Sequence, residues 1–386
     1  MDTIDRNGFA RLLQELADRG YELKGPVVRD GAVVYDDLND PSALPAGMLD
    51  EQEPGRYRLH DTGGAALFDT TVAANAWKSF LHPPTLRLWS ADRTDGADFV
   101  VVDDPEEPPR YAFIGVRPCD LSAIGILDRV LMGERYVDPN YLLRRSRSFV
   151  VAVNCTRAGA TCFCDSLGTG PEATDGYDLV LTELVEGDEH LFTVDAGSDR
   201  GREVLDAVPR RDTTVEEAEA VRAGIEHARR HMGRSLHVAG LKDLLEANRD
   251  SERWDELADR CLACGNCTLA CPTCFCTSVE DVTDLSGDHA ERIQRWDSCF
   301  TSDFSYIHGG SVRPSLGARY RQWITHKLAG WVDQFGSPGC VGCGRCITWC
   351  PVGIDITAEA AALQQGAVAP AQAPGDRPRA PHGGPA

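Results

Sequence analysis

The pattern of apolar and polar residues predicts a mixed α/β region in the first half of the chain. Apolar side chains recur at helical spacing over residues 7–19, which predicts a helix there. Residues 111–116 and 148–153 are continuous apolar runs of strand length, and each predicts a buried strand. Residues 121–132 place Leu and Ile on one face, which predicts a helix after a turn at residues 117–120.

Shorter segments extend this pattern. Residues 32–35 and 56–59 are β-rich runs between Gly, Pro and Asp turns, and residues 177–184 and 191–194 predict an antiparallel pair. If the strands at 111–116 and 148–153 are parallel neighbours, their carboxyl ends open onto one edge of the sheet, where α/β proteins bind ligands.

The second half of the chain is predicted to be mostly helical. A capping-box pattern in Thr214 and Glu217 starts a run of helix-forming residues that continues to about residue 232. Further helices are predicted over residues 241–248, 252–260, 291–296 and 319–332. Residues 364–386 are rich in Ala, Gln, Pro and Gly, and a segment of that composition is expected to be disordered.

Two cysteine runs with the same spacing are the strongest chemical signal in this sequence. Both follow C-x2-C-x2-C-x3-C-P, the ferredoxin pattern, in which three thiolates hold one 4Fe-4S cluster and the fourth reaches a second cluster. The predicted ligands of one cluster are Cys261, Cys264, Cys267 and Cys350. Those of the other are Cys340, Cys343, Cys346 and Cys271.

Paired C-x2-C units also build structural zinc sites, so a zinc-stabilised scaffold is an alternative function of another class. Zinc needs neither the third Cys nor the Cys-Pro ending, and both features occur twice here, which favours iron and sulfide. A disulfide framework is not expected, because residues 1–20 lack the basic start and apolar core of a signal peptide. The thiols are therefore expected to stay reduced in the cytoplasm.

The sequence thus predicts an α+β protein in three parts. Residues 1–210 form an α/β domain, residues 211–363 a mostly helical dicluster ferredoxin-like domain, and residues 364–386 a disordered tail.

Seven cysteines lie outside the two runs. Four of them follow the two predicted buried strands and predict a third 4Fe-4S cluster, with ordinary buried cysteines as the alternative. These four are Cys119, Cys155, Cys162 and Cys164. The other three, Cys274, Cys276 and Cys299, flank the first run and are predicted to line its cluster pocket, with a ligand role for one of them as the alternative. Cationic residues near a cluster raise its potential, and the candidates are Arg313, Arg319, Arg321 and Arg345.

Composition excludes several functions. A net charge of −21 argues against binding nucleic acid, and no apolar run approaches the roughly 20 residues that span a bilayer. The sequence has neither a G-x-G-x-x-G motif after a strand nor a P-loop, so flavin and nicotinamide are expected on other subunits. No acid–base or nucleophilic site for bond chemistry is recognisable.

Several segments of the sequence resemble the β subunit of cytoplasmic nickel-iron sulfhydrogenases. They are residues 115–120, 162–164, 261–276, 296–300 and 340–346, and the likeness covers about residues 60 to 357. The electron-transfer subunit of anaerobic sulfite reductases has a similar layout, and that role, beside a siroheme-bearing partner, is the alternative. The resemblance implies an electron-transfer subunit of an oxidoreductase complex. Its partners would be a flavin subunit that oxidises NAD(P)H and the small and large hydrogenase subunits.

Overall fold

The computed structural model describes residues 1–94, 98–102, 107–133 and 135–366. The strands are β1 (Asp2–Asp5), β2 (Glu22–Arg29), β3 (Ala32–Asp37), β4 (Met48–Glu53), β5 (Arg56–Asp61), β6 (Thr85–Arg93), β7 (Phe99–Val102), β8 (Tyr111–Val116), β9 (Phe149–Val153), β10 (Leu179–Glu186), β11 (Glu189–Ala196), β12 (Arg211–Asp212), β13 (Thr277–Thr283), β14 (His289–Trp296), β15 (Tyr306–Ile307) and β16 (Gly310–Ser311).

The α-helices are α1 (Arg6–Asp18), α2 (Lys78–Leu81), α3 (Pro118–Leu131), α4 (Pro139–Arg147), α5 (Asp199–Asp206), α6 (Val215–Arg230), α7 (Leu241–Ala247), α8 (Arg253–Arg260), α9 (Asn266–Leu269), α10 (Leu316–Thr325), α11 (Trp331–Phe335), α12 (Arg345–Thr348) and α13 (Ile356–Gly366). Short 3-10 turns cover Pro41–Ala43 and Cys164–Leu167, and one π-helical turn covers His326–Gly330. The mixed α and β content confirms the predicted fold class.

A sheet in the order β12-β1-β11-β10-β9-β8-β2-β3 forms the centre of the first part of the chain. Its inner strands β2, β8, β9 and β10 are parallel neighbours, while the outer pairs are antiparallel. The predicted pairing of β8 with β9 and the predicted antiparallel pair β10/β11 are therefore confirmed. Both β8 and β9 are continuous apolar runs because each is covered on two faces.

The two faces of this sheet bury alternate residues of the same strands. Ile114 and Val151 pack with helices α1 and α5, whereas Phe113 and Val150 pack with α3. Helix α3 begins at Pro118, so residues 118–120, predicted as a turn, already form its first turn. Proline suits this position because the first amide of a helix has no carbonyl partner.

A second sheet, in the order β13-β14-β6-β7, corrects one helix prediction. Residues 291–296 were expected to be helical but belong to β14, which pairs with both β13 and β6. Helix-forming composition is overridden here because β13, the preceding strand, supplies hydrogen-bond partners on one side and β6, which is distant in sequence, supplies them on the other. Strands β6 and β7 of this sheet precede residue 210, and β13 and β14 follow it. The domain boundary at residue 210 remains a prediction.

The remaining helical predictions are confirmed. Thr214 and Glu217 form both hydrogen bonds of the capping box at the start of α6. The helix predicted over 319–332 extends from Leu316 through the π turn to Phe335. Helix α13 reaches Gly366, three residues into the segment predicted as disordered, and residues 367–386 lie outside the described residues.

In the described part of the chain, no helix combines the length and the apolar character needed to cross a bilayer.

Candidate iron–sulfur site

The two cysteine runs have the same local structure. Gly265 and Gly344 adopt φ values of +76° and +79° and each precedes a single helical turn, α9 or α12, that carries the third cysteine of its run. Ala263 and Gly342, two residues after the first cysteine, also have positive φ. Such left-handed residues turn the chain sharply, so that successive thiols point towards one centre.

Backbone amides point at the sulfur atoms in both runs. The Ala263 amide donates to Cys261 Sγ at 3.4 Å, and the Gly342 amide donates to Cys340 Sγ at 3.5 Å. Hydrogen bonds of this kind stabilise thiolate charge and are one of the means by which proteins set cluster potentials.

The structure brings thiols of both runs together. One cavity is lined by Cys261, Cys264, Cys267 and Cys350, the first predicted set, and also by Cys346 of the second set, with Phe300, Tyr320 and Trp323 among its walls. The fourth thiol of this set therefore comes from the second run. Helices α9 and α12 pack beside each other, and Asn266 Nδ2 donates to the Trp349 carbonyl at 3.2 Å, which helps to hold the runs in this relation.

In the other predicted set, Cys271 and Cys343 are buried and Cys340 and Cys346 are half-buried. Burial, then the charge of neighbouring thiols that include Cys271, raises the pKa of Cys340 to about 12 and that of Cys346 well above its usual range. Burial, with a contribution from Cys271, also raises the pKa of Cys343. Four thiols in such surroundings are costly to ionise together unless a cationic centre binds them.

Lys327 supplies positive charge to this set. Its Nζ donates to Cys271 Sγ at 3.2 Å and to Thr273 Oγ1 at 2.9 Å. The side chain is buried, and in the described residues it forms no ion pair with a carboxylate. A hydrogen bond from the Cys274 thiol, followed by the Lys327 charge, holds the pKa of Cys271 well below its usual range. This environment fits an anionic, thiolate-ligated cluster.

The four cysteines that follow the buried strands also converge. Cys119 is the second residue of α3, directly after β8, while Cys155 follows β9 and leads into the loop with Cys162 and Cys164. Burial raises the pKa of Cys162 to about 12, and the charges of Cys155 and of Cys343 in the second run contribute to that rise. Burial, followed by the charges of Asp120, Cys164 and Cys343, raises the pKa of Cys119 well above its usual range. The third set thus adjoins the second run.

A buried ion pair joins the α/β part to the second run. Arg345, between Cys343 and Cys346, donates two hydrogen bonds to the Asp120 carboxylate at 2.7 and 2.9 Å. Tyr35 Oη donates to the same carboxylate at 2.9 Å. Both charged side chains are essentially inaccessible to solvent. Asp120 follows Cys119 directly, so this pair fixes one thiol of the third set relative to the second set.

Backbone contacts tighten the same junction. The Phe163 amide donates to the Gly342 carbonyl at 2.8 Å. A Cβ placed on Gly342 would lie 2.6 Å from the Cys164 nitrogen, so only glycine fits between these two cysteine loops.

Of the four arginines named as tuning candidates, only two lie near thiols. Arg345 contributes to lowering the pKa of Cys343, which burial raises, and Arg313 acts similarly on Cys299. Arg319 and Arg321 instead donate to the backbone carbonyls of Phe300 and Arg249. Sequence reasoning missed Lys327, because a single lysine within a helical run carries no signal of what it faces.

The prediction for Cys274, Cys276 and Cys299 needs one correction. They do not line the cavity of Cys261, Cys264, Cys267 and Cys350, but surround a neighbouring cavity beside Lys327.

None of the fifteen cysteines forms a disulfide bond. Within the described residues, no group of three or more His, Cys, Asp or Glu side chains is arranged to hold a single metal ion. A cubane, in which each of four irons takes one thiolate, needs a wider arrangement than one ion does.

The fold and the crossed thiol sets define a dicluster iron–sulfur protein, and comparison with known proteins supports this class. A family model described as a 4Fe-4S dicluster domain matches residues 260–354. The β subunit of sulfhydrogenase 2 from Pyrococcus furiosus is 36% identical over 251 residues, which are 64% of this chain and 72% of that subunit. The chain belongs to the sulfhydrogenase β-subunit family, which confirms the resemblance seen in the sequence. No solved structure matches the chain.

Proposed function

We propose that this chain passes single electrons between a flavin subunit that oxidises NAD(P)H and the small and large subunits of a nickel-iron hydrogenase in the cytoplasm. The observation that carries the proposal is that thiols of both cysteine runs line one cavity, while Cys271 of the first run lies close to the thiols of the second. The name of the Pyrococcus furiosus relative favours a hydrogenase complex over a sulfite reductase complex.

In this proposal one cluster is held by Cys261, Cys264, Cys267 and Cys350, and the other by Cys340, Cys343, Cys346 and Cys271. A 4Fe-4S cluster, when bound, supplies reversible one-electron chemistry. The protein contributes amide hydrogen bonds to sulfur, the Lys327 ammonium group and the apolar walls formed by Phe300, Tyr320 and Trp323, which exclude water.

A third cluster held by Cys119, Cys155, Cys162 and Cys164 is part of the same proposal. The support is that these thiols are close enough to influence one another and Cys343. The Arg117 guanidinium, which is buried and donates to the Phe68 carbonyl at 2.6 Å, also lies 4.0 Å from Cys155 Sγ. The three sets would form a continuous path, from the third set through the second run to the first.

The test is metal and sulfide analysis of the full chain purified without oxygen. We expect a brown protein that bleaches with dithionite, with about four irons and four sulfides for each cluster. The variant Cys162→Ser should lose about four irons relative to the wild type. Asp165→Asn is the matched control, because Asp165 is an exposed residue next to Cys164, and this variant should keep the wild-type iron content.

Two results would contradict this proposal. A colourless protein with stoichiometric zinc would replace electron transfer by the scaffold function, and an unchanged iron content in Cys162→Ser would remove the third cluster. Co-purification then identifies the complex, since nickel and flavin in the partners support the hydrogenase assignment and siroheme supports the sulfite reductase.

A further inference from the structure

Three thiols that no cluster above uses surround one cavity. Cys274, Cys276 and Cys299 line a space of about 370 Å³ together with His326 and Lys327. The hairpin of β13 and β14 brings them together, because Thr277 pairs with Trp296 and the Asp297 amide donates to the Cys276 carbonyl at 2.9 Å. The C-x-C pair before β13 and the single cysteine after β14 therefore meet at the same end of the hairpin.

The cavity adjoins both ferredoxin-type sets. Cys274 lies three residues after Cys271, a proposed ligand of the second set, and Lys327, which lines the cavity, donates to Cys271 Sγ at 3.2 Å. Cys299 is the thiol whose charge acts most strongly on Cys267, a proposed ligand of the first set. A group bound by these three thiols would thus lie next to ligands of both neighbouring clusters.

Positive charge accumulates around the same space. Lys78 Nζ donates to the carbonyls of Cys274 and Thr268 at 3.0 and 3.2 Å, and its ammonium group lies 4.1 Å from the centre of the Trp296 ring. Lys78 and Lys327 are both buried, and neither forms an ion pair with a carboxylate in the part of the chain that the structure describes. Burial lowers the pKa of Lys78, so anionic charge nearby would favour the protonated state of both lysines. Cys271, whose pKa is held well below its usual range, supplies one such charge beside Lys327.

We propose that Cys274, Cys276 and Cys299 hold a further 4Fe-4S cluster, with His326 as its fourth ligand. Three thiolates and one imidazole match the four irons of a cubane, and the cluster with its thiolates carries the negative charge that Lys78 and Lys327 balance. Among the side chains that line the cavity, His326 adds a nitrogen lone pair, whereas Lys327 and Arg313 are cationic and cannot ligate iron. This cluster would exchange one electron at a time with either neighbour.

The inference goes beyond the three clusters of the proposed function, and its test does not depend on how many clusters the wild type holds. In the full chain purified anaerobically, Cys276→Ser and Cys299→Ser should each lose about four irons and four sulfides relative to the wild type. Thr277→Ala changes a residue of the same cavity that has no thiol, and it should keep the wild-type content. An unchanged iron content in both cysteine variants would overturn the site.

A second measurement on the wild type avoids any folding defect of the variants. Thiols bound to iron resist alkylation, so iodoacetamide followed by peptide mass mapping should leave Cys274, Cys276 and Cys299 unlabelled in the iron-loaded chain and labelled after iron removal. Labelling of the three half-buried thiols in the loaded chain would rule the cluster out, as would zinc at one ion per chain with these thiols protected.

The proposed ligation by His326 can be tested by spectroscopy. Pulsed electron paramagnetic resonance of the reduced chain should show a nitrogen coupling that disappears in His326→Ala, whereas His308→Ala, which changes an exposed histidine, should retain it. A coupling that persists in His326→Ala would overturn the assignment of His326.

Discussion

Lys327 places a buried positive charge beside the second thiol set. Although burial opposes ionisation, the charges of Cys271, Cys274 and Cys340 raise the pKa of Lys327 well above its usual range. An ammonium group 3.2 Å from a ligand sulfur stabilises the more negative, reduced state of a cluster more than its oxidised state.

We therefore expect Lys327→Met to lower the midpoint potential of the cluster held by Cys340, Cys343, Cys346 and Cys271. The shift should be roughly 30–60 mV, because a loss of about 1.4 kcal/mol corresponds to 59 mV for a one-electron couple. A redox titration followed by electron paramagnetic resonance measures it. Lys242→Met is the control, since Lys242 pairs with Asp333 at the surface and should leave all potentials unchanged. An unaltered potential in Lys327→Met would show that this charge does not act on the cluster.

At the scale of elements, equal local structure does not mean equal surroundings. The one-turn helices α9 and α12 both follow a left-handed glycine, but the glycine before α12 has the tighter surroundings. A Cβ on Gly344 would lie 2.5 Å from the Thr161 carbonyl oxygen, whereas a Cβ on Gly265 would approach the Ser298 hydroxyl at 3.4 Å, an ordinary contact.

This difference predicts unequal effects of the same substitution. Gly265→Ala should cost only the left-handed strain of alanine, about 1–2 kcal/mol, and should keep its iron. Gly344→Ala adds a clash with backbone that cannot move without displacing the third thiol set, so it should lose iron from the second and third sets. Iron content after anaerobic purification compares the two variants directly. Equal losses in both would mean that the contact with Thr161 is not important.

The whole molecule is organised by contacts that cross between its parts. The Asp120–Arg345 pair ties α3 to the second run, and β6 joins a sheet whose other long strands lie between the two runs. Removal of one partner of such a buried pair leaves an unpaired buried charge, at a cost of about 3–5 kcal/mol. These contacts tie the second cysteine run to the α/β part, so the proposed clusters would lie within a single packed unit.

Crossed ligation predicts which thiols a single substitution releases. Cys271→Ser should free Cys340, Cys343 and Cys346 for alkylation while the other three cysteines of its own run stay protected. Cys350→Ser is the reciprocal control and should free Cys261, Cys264 and Cys267. Peptide mass mapping after iodoacetamide treatment of anaerobic protein reads out both patterns. Release of the neighbours within the same run in both variants would contradict the crossed assignment.

Much of this arrangement follows from the sequence by itself. The spacing of the cysteines, with prolines after the fourth, predicts the crossed sets because only certain turns bring three thiols to one centre. The apolar runs of β8 and β9 likewise predict a buried parallel pair whose ends bring Cys119 and Cys155 together, since a strand covered on both faces has no polar alternation.

Only the tertiary structure decided the rest. Residues 291–296 form a strand because β6, some two hundred residues earlier in the chain, pairs with them, and local helix propensity is too weak to oppose that pairing. The roles of Lys327, Lys78 and Asp120 depend on which groups they face after folding. Burial determines how strongly each of these charges interacts, because the energy of a charge depends on its distance from other charges and from water. The sequence specifies the cysteines that are proposed to bind iron, whereas the packing of distant segments determines the charges around them.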